Sequence, residues 1–151
     1  KKLHRIVVAV RDIDEAASRY EALFGVPFSR SGPVIASMGL RVAAAWDLGI
    51  ELLQPISGSD GELARDVQKF LDERGEGICG AAFGVRDMKQ DVAQAQANNL
   101  TAYGPTLGFP PEVLESEFAA FSRFEETVYD FTGLGYLLAL VDADADADGR
   151  R

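Results

Sequence analysis

The sequence predicts an α+β fold made of two tandem β-α-β-β-β modules. Three observations carry that expectation. Residues 3–10 form a Val- and Ile-rich run that alternates little, as a buried strand does, and an acid-rich helical segment follows it. The same strand-to-helix junction returns 75 residues later, Val10-Arg11-Asp12 becoming Val85-Arg86-Asp87. After each junction come short apolar runs broken by Gly and Asp, the spacing of small strands rather than of long helices. At 151 residues, the chain has the length of one domain with a real core.

Taken in order, Arg11-Asp12 ends the first strand, and Asp12 or Asp14 caps a helix running to about Phe24, which Gly25-Val26-Pro27 stops. Strands are expected at 33–38, 41–46 and 50–54, separated by Gly39 and by Asp47-Leu48-Gly49. Ser59-Asp60-Gly61-Glu62 opens a helix over about 60–74, with Leu63, Val67, Phe70 and Leu71 at helical spacing. This helix reads as a linker between modules at about 3–57 and 78–141 of a single domain over 1–141. The second module restarts with a small-residue strand at 78–85 and a helix at 87–99. Strands near 118–124, 126–131 and 136–141 complete it. The connection 103–111, with Pro105, Pro110 and Pro111, is long enough for a lid or pocket wall. Residues 142–151, DADADADGRR, have no core-facing pattern and are expected to be a disordered acidic tail.

Composition narrows the function classes. The formal net charge is -9, and it stays at -7 without the tail, so the folded part is acidic as well. That excludes a basic nucleic-acid footprint and argues against an anionic membrane surface. A cationic ligand suits such a surface, and so does plain solubility. One cysteine allows no internal disulfide and points to a reducing, cytoplasmic setting. No apolar run reaches the ~18 residues of a membrane span, and no signal peptide opens the chain. It begins Lys1-Lys2-Leu3 without methionine, as a chain that has lost a short leader or tag would.

Several segments resemble the vicinal oxygen chelate superfamily, which includes glyoxalase I, extradiol dioxygenases, bleomycin resistance proteins and methylmalonyl-CoA epimerase. They are Leu3-His4-Arg5-Ile6-Val7-Val8-Ala9-Val10-Arg11-Asp12, Gly49-Ile50-Glu51-Leu52-Leu53-Gln54-Pro55 and Phe70-Leu71-Asp72-Glu73-Arg74-Gly75-Glu76-Gly77-Ile78. Their order and spacing over residues 3–141 carry the likeness, and the stretch from Phe70 to Phe83 looks most like the epimerase branch. The resemblance implies a curved mixed sheet around a cavity, a small-molecule ligand and a homodimer.

In metal-dependent members of that superfamily each half supplies two ligands, one early in its first strand and one in its last, a His–Glu–His–Glu set suited to an open divalent site. Aligned on the Val-Arg-Asp repeat, those positions here are Arg5, Glu51, Gly80 and Ala139. Three ligands are missing, and one replacement is a permanent cation. His4 and Cys79 each lie one residue early, where a strand turns side chains to its other face. A His4/Glu51/Cys79 metal site would need a bulge, and the expectation is no metal and no other cofactor.

Period-2 alternation instead places Arg5, Val7 and Ala9 with Glu51 and Leu53 on the concave face, joined by Gly80, Ala82, Gly84 and Ala139, whose small size would leave a roomy apolar cavity. Arg5 and Glu51 would meet where the metal sat, either as a salt bridge plugging a dead site or as working groups. As working groups, Arg5 binds a carboxylate, thioester carbonyl or enolate oxygen and Glu51 is the general base. Tyr103, Tyr129 and Tyr136 are candidate acids or donors. The function expected is a metal-independent, glyoxalase-like enzyme of isomerase or lyase type acting on an apolar carbonyl or acyl compound. The alternative is a drug- or metabolite-binding protein of the bleomycin-resistance kind, with Trp46, Phe109, Phe118, Phe121 and Phe124 as aromatic walls. The three last phenylalanines also suit a core strand. No phosphate-cradling glycine loop is present, Gly133-Leu134-Gly135 reading as a turn.

Overall fold

β1 (Lys2–Ala9) ends where Asp12 begins α1 (Ile13–Phe24), in a computed structural model that describes residues 1–145. The Asp12 carboxylate accepts the Asp14 and Glu15 amides, and Gly25, at φ 69°, closes the helix in a left-handed conformation. The chain continues through β2 (Ser29–Arg30), α2 (Pro33–Ser37) and β3 (Leu40–Ala45). A 3-10 turn over Trp46–Leu48 then leads into β4 (Ile50–Pro55) and α3 (Glu62–Arg74). The second half supplies β5 (Gly77–Gly84), α4 (Met88–Ala97) and β6 (Leu107–Gly108). α5 (Pro111–Glu117), β7 (Phe121–Tyr129) and β8 (Leu137–Ala145) follow.

The α+β class and the tandem pattern of the sequence are present in the topology. The first four strands run in the order β2-β3-β4-β1 and the last four in the order β6-β7-β8-β5. β1 pairs with β4, and β5 with β8, in parallel, and the other pairs within each set are antiparallel. By contact density the chain divides into two units, one Arg5–Cys79 and the other residue 80 onward with Lys1–His4. α3, expected as a linker, packs on β4 and belongs to the first unit.

In the first unit Val8, Val10, Ala43, Ala45 and Leu52 pack with Ile13 and Ala17 of α1, and Ile6 and Ile50 join them. The pairs Val7↔Glu51 and Ala9↔Leu53 therefore look away from α1. In the other unit Val85, Met88, Ala95, Tyr129, Leu138 and Leu140 form the core beneath α4. No helix among the described residues is long and apolar enough to cross a membrane.

Three expectations are corrected. Residues 33–38 are helix α2 rather than a strand: Pro33 has the fixed φ of a first helical turn, and the five-residue helix buries a single side chain, Ile35. The strands expected at 118–124 and 126–131 are one strand, β7, preceded by α5, which again opens on a proline. Glu125 and Glu126 do not interrupt β7, because they pair with Asp142 and Val141. Residues 142–145, expected to lie in the tail, are strand. Asp142–Ala145 continue β8, since a D-A-D-A run has a strand's own period of two, and Arg123 donates to both Asp142 (2.7 Å) and Asp144 (3.0 Å). The rest of that acidic run lies outside the described residues.

Candidate functional site

Neighbouring strands bring Arg5 and Glu51 together on the face of the first unit turned away from α1. Val7, two residues after Arg5 and on its face, is the register partner of Glu51. Arg5 Nε donates to Glu51 Oε2 at 2.5 Å, with Arg5 2% and Glu51 8% exposed. Val42, Ala44, Leu53, Val7 and Ala9, the pair's strand neighbours on the same face, are all buried and apolar. The charge-assisted hydrogen bond between them, among the stronger kinds, helps to offset the cost of burying both charges.

Two more side chains complete the group. Trp46, half-buried in the 3-10 turn, lies with its ring centroid 5.6 Å from the Arg5 guanidinium carbon, within cation–π range. Gly49, at φ 63°, makes the left-handed turn that carries the chain from this tryptophan into β4. Cys79 is 1% exposed, and its thiol is pushed up to about 12, first by burial and then by the negative charge of Glu51. It is therefore a protonated, unreactive thiol at neutral pH.

This donor set does not fit a divalent ion. The first ligand position holds a guanidinium, which no deprotonation at accessible pH turns into a ligand, and its N–H points at the one carboxylate a metal would need. Nowhere among the described residues do three His, Cys, Asp or Glu side chains gather to hold an ion, and His4, Glu51 and Cys79 form no such group. The His4 ring instead packs 6.1 Å from that of Phe121.

The other unit treats its candidates differently. Ala82 and Ala139 are register partners, 0% and 1% exposed. Gly80 does not leave the room its missing side chain suggested, because a Cβ there would lie 2.4 Å from the Leu137 carbonyl oxygen. Gly80→Ala is expected to cost about 1–3 kcal/mol of stability through this overpacking, read as a lower denaturant midpoint. An unchanged midpoint would show that β5 and β8 can part to admit a methyl group.

Tyr129 is a clearer correction. It pairs with Leu138, whereas Ala139 pairs with Val128, so the tyrosine points into the core beneath α4 and not to the face of Ala139. Its hydroxyl is buried without a hydrogen-bond partner, and burial followed by the charge of Asp91 raises its pKa. Tyr103 is half-buried in the connecting loop, held through its amide to the Val128 carbonyl. Phe109, Phe118, Phe121 and Phe124 pack on one another, with Phe118 and Phe124 stacked at 4.8 Å, which is the use a core makes of them. Glu117, 4% exposed at the end of α5, is a buried carboxylate that sequence patterning passed over because α5 itself was not foreseen.

Residues 4–109 match the sequence profile of the Glyoxalase/Bleomycin resistance protein/Dioxygenase superfamily, and the chain belongs to that superfamily. Among solved structures it is similar to methylmalonyl-CoA epimerase from Mycobacterium tuberculosis, at 21% identity over 95% of this chain and 88% of that one, with a TM-score of 0.68. A variant of the Streptomyces coelicolor methylmalonyl-CoA epimerase in complex with 2-nitronate-propionyl-CoA gives 22% identity, 96% and 99% coverage and a TM-score of 0.68. A hypothetical protein from Bacillus halodurans gives 20% identity, 97% and 96% coverage and the same TM-score. At these identities the likeness is one of fold. No curated protein matches the sequence.

Proposed function

We propose that the chain is a small-molecule enzyme of this superfamily that moves a proton next to an apolar carbonyl or acyl group without a divalent metal. The observation that carries this reading is the Arg5–Glu51 pair, a fixed cation and a carboxylate 2.5 Å apart with buried apolar strand neighbours. Glu51 takes the proton from the carbon beside the carbonyl. The C–H electron pair moves onto the carbonyl oxygen, whose charge Arg5 holds. Return of the proton to carbon completes an isomerisation, and loss of a leaving group from the neighbouring carbon completes an elimination. Arg5 supplies as a permanent charge what a metal supplies as a Lewis acid. The reading has the protein working as a cytoplasmic homodimer.

The experiment is hydrogen exchange at the α-carbon of simple acyl-thioesters in D2O, followed by NMR. Exchange is expected with the unchanged chain, about 100-fold slower exchange with Glu51→Gln, and near-normal exchange with Tyr129→Phe. Exchange indifferent to Glu51→Gln would overturn the reading, as would a stoichiometric, tightly held metal. A second reading, ligand capture without turnover, draws on Trp46, whose half-exposed ring offers a planar contact beside the cation. Saturable binding of a planar ligand with no α-exchange would favour it.

A further inference from the structure

We draw no further inference here: the strongest candidate, the groove of about 460 Å³ between Val8 and Val10 of β1 and Ala16 and Tyr20 of α1, has its arginines already bonded within the unit, Arg19 to Glu15 and Arg11 to the Leu71 carbonyl, and nothing in the structure shows what covers it.

Discussion

Arg5→Ala is expected to lower stability by about 3–5 kcal/mol, seen as a large drop in the urea midpoint with little change in slope. The loss has two sources. The first is the Glu51 carboxylate, which is 8% exposed and accepts its hydrogen bond from Arg5 Nε at 2.5 Å. Without that donor, the buried carboxylate loses a charge-assisted hydrogen bond that water does not readily replace. The second is the arginine stem and its contact with Trp46, 5.6 Å from the guanidinium carbon. The informative comparison is the double replacement Arg5→Met with Glu51→Leu. If the pair were worth its gross attraction, removing both partners would cost more than removing one. Desolvation offsets most of that attraction in a buried pair, so the double variant should recover most of the loss. A single variant losing less than about 1 kcal/mol would mean that water reaches Glu51 freely, as at an exposed ion pair.

Local chemistry made much of this fold readable. Asp12 before an apolar-periodic run, Gly25 after it, and Val- and Ile-rich strands on either side are signals that act over a few residues, and the structure follows them. The repeated Val-Arg-Asp junction placed the two halves in correspondence, and from that the period of two put Arg5 and Glu51 on one face. What escaped has a common cause. α2 and α5 are one or two turns long and each buries very little, so no hydrophobic period could reveal them. Their only marks are Pro33 and Pro111, which also suit a turn or the start of a strand. Which face Tyr129 takes could not be read before the pairing was known, because a strand gives its two faces to adjacent residues and Leu138 and Ala139 differ by one position. Gly80 was misread because an absent side chain looks like free space until the neighbouring strand is known. Here Leu137 fills it.

Alkaline stability should be controlled by Cys79 to an unusual degree for a lone thiol. The Cys79 pKa is raised from the ordinary value of 9.0 to about 12, by burial first and by the charge of Glu51 second. The folded chain thus keeps this proton up to about pH 12, while the unfolded chain releases it near pH 9. Between those values the unfolded state binds fewer protons than the folded one, so stability falls as pH rises. Below pH 9 this group contributes no slope. A shift from 9.0 to about 12 corresponds to about 4 kcal/mol in total, reached only at the top of the range. Other groups titrate there too, so the measurement is a difference: denaturant unfolding at several pH values for the unchanged chain and for Cys79→Ala. The alanine variant is expected to show the flatter alkaline limb, with the gap between the curves widening from pH 9 upward. Glu51→Gln should lie between them, because it removes the second cause of the shift and leaves the first. Parallel curves for the unchanged chain and Cys79→Ala would mean that the thiolate finds solvent in the folded state.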